Sequence, residues 1–291
     1  MASDYSIGFT GSTLDEIMPW IDDQVGDTSK VVVAMAGSGK DIAHLARYGR
    51  TIVSFDTQEI SRCVVDGMFR AAPAPKSPPL TLGTLEGYAT STEGLGDMPA
   101  DAAGAADYIA VAGDDYDRVC LFYALVRCSL MGRGQVWGRD KTVVDLERLY
   151  RRAHERLQAW RSLPGTFEHH KGSVFDADPS VFDDAVLFVD TPKVVQGNRD
   201  IYSSGYVRLN SIIAQAPVEL PRWSEDTFWR DMPHLWNAPY DRMVLFHVTG
   251  ARPEPRAVFD RMLEDGVPRP STIGSWKHKG RTDVAWVVDR S

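Results

Sequence analysis

What the sequence lacks excludes several common classes of protein. It has only three cysteines, Cys63, Cys120 and Cys128, and their odd number and lack of Cys-x-x-Cys spacing argue against a disulfide framework. No apolar run approaches the roughly 20 residues that a membrane helix needs. The first residues lack the basic start and the apolar core of a secretory signal. We therefore expect a cytoplasmic protein.

Basic residues are missing from one long stretch of the chain. Between Glu86 and Asp117 there are eight acidic residues and no lysine or arginine. The next stretch, from Arg118 to Arg161, has ten basic residues against four acidic ones. The net charge of −8 is therefore largely local, and it does not exclude a nucleic-acid partner. The acidic stretch is compatible with a mobile cover, a DNA mimic or a disordered linker.

What is present is typical of an α/β protein. Hydrophobic residues make up 43% of the 291 positions, which is enough for one large core. The apolar strand Lys30–Met35, a glycine turn, the helix Asp41–Tyr48 and the strand Thr51–Phe55 form the βαβ unit of a parallel sheet. Further helices are predicted at 14–25, 59–69, 118–131, 143–161 and 255–264, and further strands at 167–175, 185–189, 242–248 and 283–288.

Two strand ends carry residues that are suited to line a pocket. After the first, Gly37 and Gly39 let the backbone turn tightly and approach a ligand. Asp56, at the end of the next strand, can accept both hydroxyls of a ribose. A tight turn of any doubly wound sheet is the plain alternative. A phosphate-binding loop fits less well, because its upstream glycine and the Ser/Thr after its lysine are missing. Asp190 follows the predicted strand 185–189, and it either lines the pocket or caps the following turn.

A series of short elements extends along nearly the whole chain. Its members are Phe9-Thr10-Gly11-Ser12, Ala36-Gly37-Ser38-Gly39, Asp56, 167–176, Asp190-Thr191-Pro192-Lys193, 202–206, 243–248 and 281–288. In this order they resemble the motifs of the Dam-like DNA adenine-N6 methyltransferases, in which the catalytic motif reads Asp-Pro-Pro-Tyr. A stretch of basic helices occupies the place of that family's target-recognition region.

The resemblance implies a doubly wound, mostly parallel α/β sheet of the S-adenosylmethionine-dependent methyltransferase type, with a mainly helical insertion. Residues 1–70 and 166–291 would form the catalytic domain, and residues 71–165 would form the insertion.

The same resemblance implies which residues form the site. The implied cofactor contacts are Phe9, Gly11, Ser12, Ala36, Gly37, Gly39, Asp56 and Ser173. The implied catalytic motif is Asp190, Thr191, Pro192 and Lys193, and no metal is implied. The aspartate would accept a hydrogen bond from the amino group of an adenine that is flipped out of the duplex.

Two residues of the catalytic motif depart from the family pattern. Thr191 replaces the first proline, and Lys193 replaces the aromatic residue that stacks on the base. Three interpretations follow and stay open. The protein is an enzyme that holds the base with Tyr202 or Tyr206, or it modifies another amino-bearing substrate such as a nucleotide or other small molecule. Alternatively, it is a catalytically silent relative that binds DNA or cofactor.

Basic side chains at the implied recognition position, together with a second basic cluster near residue 278, predict contacts with DNA phosphates. The predicted contacts are Arg148, Arg151, Arg152, Arg156, Lys277 and Lys279. For the arginines the plain alternative is a solvated helix face, and for the two lysines it is an ordinary loop.

Histidines and tryptophans offer two further patterns. His169 and His170 are predicted to be a solvated pair rather than metal ligands, because no partner has ligand spacing. Trp223, Trp229 and Trp236 are predicted to pack in a small aromatic element rather than to stack on bases.

Overall fold

The computed structural model describes several ranges of the chain. They are residues 13–37, 39–69, 114–127, 146–191, 210, 213–214, 216, 218, 220, 223–248, 253–278 and 281–290. Cys63 and Cys120 are free and buried. Within these ranges no helix is long and apolar enough to cross a membrane.

Helices and strands alternate over much of the described chain. The helices are α1 (Thr13–Val25), α2 (Lys40–Leu45), α3 (Glu59–Phe69), α4 (Asp115–Arg127), α5 (Leu146–Arg161), α6 (Glu225–Trp236) and α7 (Pro255–Glu264). The strands are β1 (Lys30–Val33), β2 (Thr51–Asp56), β3 (Thr166–Lys171), β4 (Val186–Asp190), β5 (Arg242–Val248), β6 (Thr272–His278) and β7 (Arg281–Asp289). Short 3-10 turns occupy Ala46–Tyr48, Val174–Asp176 and Pro179–Phe182.

One seven-stranded sheet joins all of these strands in the order β3-β2-β1-β4-β5-β7-β6. The first five strands in this order pair in parallel. β7 is antiparallel to both of its neighbours, β5 and β6. The predicted α/β class is therefore confirmed, and the sheet is mixed rather than purely parallel.

The two faces of the sheet are covered by different helices. On one face, alternate side chains such as Val31 and Phe188 pack with α1 and α2. On the other face, Val32 and Leu187 pack with α6 and α7. Because both faces are buried, β1 and β4 are continuous apolar runs without a polar alternation.

Helices α4 and α5 pack on α3, beside the β2–β3 side of the sheet. Arg62 of α3 contacts Asp115 of α4 at 3.0 Å. The Tyr150 hydroxyl of α5 donates to Asp117 of α4 at 2.9 Å. The two helices lie in the predicted insertion 71–165; the domain division itself stays a prediction because residues 70–113 and 128–145 lie outside the described ranges.

Two elements differ from the sequence-based expectation, and a third takes a form that the sequence left open. β3 ends at Lys171, and the rest of the predicted strand 167–175 forms a loop and a 3-10 turn. β6 was not predicted. The aromatic segment is the helix α6, whose Phe228 and Trp236 are fully buried, so the prediction that it serves packing is confirmed.

A close backbone approach before β3 gives a test of this packing. A Cβ on Gly165 would lie 2.9 Å from the Arg50 carbonyl oxygen and 3.1 Å from the Phe167 ring. For Gly172, no described atom lies within 4 Å of the position that a Cβ would take. We expect Gly165→Ala to lower the free energy of unfolding by about 1–3 kcal/mol and Gly172→Ala to change it by less than about 0.5 kcal/mol. Urea unfolding of both variants measures this, and equal effects would contradict the packing.

Candidate functional site

The ends of β1 and β4 lie side by side although they are far apart in the chain. The strands pair in parallel, with Val33 opposite Phe188, and the Ala34 N–H donates to the Phe188 carbonyl at 3.0 Å. Within the sheet, β2 pairs with one side of β1, and β4 pairs with the other side. This reversal of strand order is a topological switch point, the place where open α/β sheets bind ligands at their carboxyl edge.

The glycine turn follows β1 at this edge. Gly37 and Gly39 have φ angles of 51° and 71°, in the left-handed region that other residues rarely adopt. The Gly39 N–H donates to the Ala36 carbonyl at 2.8 Å and so closes the turn. Among the described atoms, none lies within 4 Å of the place where a Cβ of Gly37 would stand. The backbone at Gly37 therefore borders open space that a ligand can occupy.

Asp56 at the end of β2 supports this turn. Its carboxylate accepts the Gly37 N–H and the Gln58 N–H, both at 2.8 Å. The Ser61 hydroxyl donates to the Gly37 carbonyl at 2.6 Å, on the other side of the same residue. The side chains of Ser61 and Gln58 also hydrogen-bond to this carboxylate, so a ligand hydroxyl that binds Asp56 would share or replace one of these contacts.

Asp190 ends β4 on the face of the sheet that α1 and α2 cover, since it alternates with Val186 and Phe188. Asp41 lies in the first turn of α2 and is 5% exposed. Burial raises the pKa of Asp41 to about 8, and the negative charges of Asp190 and Asp56 add to this effect. Burial also raises the pKa of Asp56.

These three carboxyl groups come from α2, β2 and β4. Within the described residues no group of three His, Cys, Asp or Glu side chains could hold a metal ion. The three acids make this edge electronegative. It suits a ligand that carries positive charge and hydrogen-bond donors.

Thr191 follows Asp190, and its side chain lies on the opposite face of the sheet, where it contacts β5. Its N–H donates to the Phe246 carbonyl at 3.2 Å, and its hydroxyl lies 2.7 Å from Nδ1 of His247. Nε2 of His247 lies 2.8 Å from the Pro253 carbonyl. The sequence did not predict His247 as a site residue, because this histidine lies inside an apolar strand without any motif around it.

The structure locates only part of the predicted site. Ala36 is buried, and its N–H donates to the Phe55 carbonyl at 2.9 Å. Ser173 follows β3 and caps a 3-10 turn by accepting the Phe175 N–H at 3.2 Å. The predicted residues outside the described ranges are Phe9, Gly11, Ser12, Pro192, Lys193, Tyr202 and Tyr206.

The two adjacent histidines of β3 have different environments. His169 is half-buried, and its Nδ1 lies 2.9 Å from the Ser54 hydroxyl. Burial lowers its pKa to about 4. His170 stacks on the Phe55 ring, with 4.7 Å between the centroids. The predicted solvated pair is therefore wrong for His169, because β2 and α3 cover its side of the strand.

The predicted basic contacts divide into two separate groups. Arg151 and Arg152 are exposed on α5, which precedes the edge strand β3. Lys277 is exposed on β6 at the opposite edge. The spacing between strands puts these edges roughly 29 Å apart. The side chains of Arg148 and Arg156, and the whole of Lys279, lie outside the described set.

Comparison with known proteins gives no family for this chain: no protein-family model matches it, and no curated protein matches it. Function must therefore be inferred from the site itself. Within the described residues, the site combines a glycine turn that borders open space, an acid at the end of β2 and a second acid at the end of β4, which pairs in parallel with β1.

The buried charge of Asp41 should make stability depend on pH. Its pKa in the folded protein exceeds the ordinary value, so between pH of about 4 and 8 the folded state keeps a proton that the unfolded state has lost. Stability therefore falls as the pH rises through this window, by up to about 1.4 kcal/mol per unit. We expect Asp41→Asn to remove this loss, so that its gain in melting temperature over the wild type is larger at pH 8 than at pH 5.

Thermal unfolding at several pH values measures this gain. Asp260→Asn is the matched control, because Asp260 is an acid on the surface of α7 paired only with the exposed Arg256 among the contacts described for it. Parallel pH profiles for Asp41→Asn and the wild type would contradict the buried-charge assignment.

Proposed function

We propose that this chain is an S-adenosylmethionine-dependent methyltransferase that acts on the exocyclic amino group of a nucleobase, adenine N6 of DNA. One observation carries the proposal: the glycine turn after β1 and Asp190 after β4 lie on adjacent parallel strands at one edge of the sheet. The insertion of an antiparallel β7 between β5 and β6 also supports a methyltransferase type of sheet.

The residues at this edge fit the cofactor. The backbone of Gly37 leaves room for a close approach, and Asp56 is the acid at the end of β2 that would accept the ribose hydroxyls. The donor is a sulfonium cation, and Asp190 places negative charge near it. Asp41, whose pKa is raised to about 8, holds a proton at neutral pH and releases it more readily when a cation binds nearby. When bound, the cofactor supplies an electrophilic methyl group.

Asp190 has the position and the chemistry to orient an amino group. A carboxylate only accepts hydrogen bonds, so it binds an amino N–H and turns the nitrogen lone pair away from itself. Such positioning supplies much of the rate of a transfer between two bound groups. Since a base inside a duplex cannot reach the donor, the target base has to leave the stack first.

The exposed arginines of α5 support DNA as the substrate. Arg151 and Arg152 are adjacent and project from a helix that packs on α3. Contacts from arginine to phosphate position a protein on DNA without reading its sequence. A silent relative that only binds is the competing proposal, since Lys193 stands where the family has an aromatic residue.

Methyl transfer from labelled S-adenosylmethionine to DNA tests the proposal directly. We expect the wild type to label adenine-containing DNA, single- or double-stranded. We expect Asp190→Ala to lower the rate by about 100-fold or more while it still binds the cofactor, because orientation of the amino group is lost. Scintillation counting gives the rates, and calorimetry gives the cofactor affinity.

Asp260→Ala, on the surface of α7, should keep the full rate and is the matched control. Equal labelling by Asp190→Ala and the wild type would remove the catalytic claim. Cofactor binding without transfer to any DNA or nucleotide would favour the silent relative. Transfer to a free nucleotide alone would favour a small-molecule substrate.

The salt dependence of DNA binding tests the role of α5. Each phosphate contact contributes about 0.9 to the slope of log K against log salt for duplex DNA. We expect the double substitution Arg151→Ala, Arg152→Ala to weaken binding and to reduce the slope by about 1 to 2, as measured by fluorescence anisotropy. Arg256→Ala, an exposed arginine of α7, is the control. An unchanged slope in the double variant would exclude α5 as the phosphate-binding surface.

A further inference from the structure

Thr191 makes a backbone contact that a proline could not make. Its N–H donates to the Phe246 carbonyl at 3.2 Å, and proline has no N–H. Asp190 is itself paired in register with Phe246. The bond from Thr191 therefore ties the residue after Asp190 to β5 and prevents the strand end from fraying at the acid.

The Thr191 hydroxyl makes a second contact, to His247. Oγ1 and Nδ1 are 2.7 Å apart. A carbonyl only accepts, so Nε2 of His247 must donate to the Pro253 carbonyl at 2.8 Å. In the neutral ring Nδ1 is then an acceptor without a proton, so the Thr191 hydroxyl donates to it and not to the Phe246 carbonyl, which lies farther away at 3.2 Å.

The imidazole of His247 is buried between aromatic side chains of neighbouring elements. It is 1% exposed, with Phe228 of α6 at 5.7 Å and Trp286 of β7 at 6.3 Å between ring centroids. Glu254, before α7, is the charged group that acts on it. Burial lowers the pKa of His247, which keeps the ring in the neutral form that accepts from Thr191.

We infer that His247 is a positioning residue for the candidate catalytic turn: it holds Thr191 and thereby the backbone that carries Asp190. Side chains alternate across a strand, so Asp190 points to one face and Thr191 to the other. Fixing Thr191 on the His247 side fixes the direction of Asp190 on the ligand side. The inference rests on the proposed function, and it identifies what holds residue 191 where the family motif has its first proline.

Two substitutions of His247 separate positioning from packing. The shorter asparagine of His247→Asn would present its amide near the position of Nδ1, within reach of Thr191 but not of Pro253. The longer glutamine of His247→Gln would reach towards Pro253 but not Thr191. We expect His247→Asn to keep the methyl-transfer kcat within about threefold of the wild type and His247→Gln to lower it by about 30-fold, because a misplaced acid can cost up to about 100-fold. The cofactor Kd should change by less than about threefold in both.

Substitutions of Thr191 give a second, independent series. Thr191→Ser keeps the hydroxyl and should keep kcat within about threefold, whereas the isosteric Thr191→Val should lower kcat by about 10- to 100-fold. Thr191→Pro restores the family residue but removes both the hydroxyl and the N–H, so we expect it to be slower than the wild type. Thr166→Val is the matched control, because that threonine hydroxyl donates to Thr51 at 2.9 Å, at the opposite end of the strands.

Amide hydrogen exchange gives a readout that does not need activity. In the peptide that covers β4 and Thr191, we expect exchange to rise by about tenfold in Thr191→Val and His247→Gln but not in Thr191→Ser, His247→Asn or Thr166→Val. Equal kcat losses in His247→Asn and His247→Gln, or unchanged exchange in Thr191→Val, would overturn the inference. If the wild type neither binds cofactor nor transfers methyl groups, the proposed function fails, and the exchange pattern alone decides whether His247 orders the turn.

Discussion

The parallel pairing of β1 with β4 is the constraint on which the site depends. It places the glycine turn and Asp190 at one edge of the sheet, although about 150 residues separate them along the chain. The side chains of both strands alternate between two buried clusters, so a shift of one residue would exchange them between the clusters and disrupt the packing of both. The core on both faces thus fixes the position of the two strand ends.

The buried carboxyl groups of the site lower the stability of the fold, because burial disfavours their charged form. Asp56 offsets its burial by accepting two backbone N–H groups. Asp41 is buried and also has neighbours of like charge, and both effects raise its pKa. A cation bound nearby would stabilise carboxylates held in this way, which fits the sulfonium donor that we propose. The same feature explains how a site in an acidic protein suits the proposed cofactor.

Local sequence patterns correctly predicted the strands and turns whose formation depends on residues that are neighbours in the chain. The apolar run before Gly37, the acid ending β2 and the acid ending β4 each fall where the structure has them, because strand and turn residues are neighbours in the chain. β6 was missed because its outer face is largely polar and it pairs with β7 alone within the described sheet. Neither the burial of Asp41 nor the bond from Thr191 to His247, 56 positions apart, has a local signal. Both depend on packing between elements.

A crystal structure of the protein with bound S-adenosylmethionine tests the central claim most directly. The account predicts that the ribose hydroxyls bind Asp56, that the cofactor passes the Gly37 backbone, and that the methyl group points towards Asp190. A cofactor bound elsewhere, or one whose methyl group is turned away from Asp190, would contradict it.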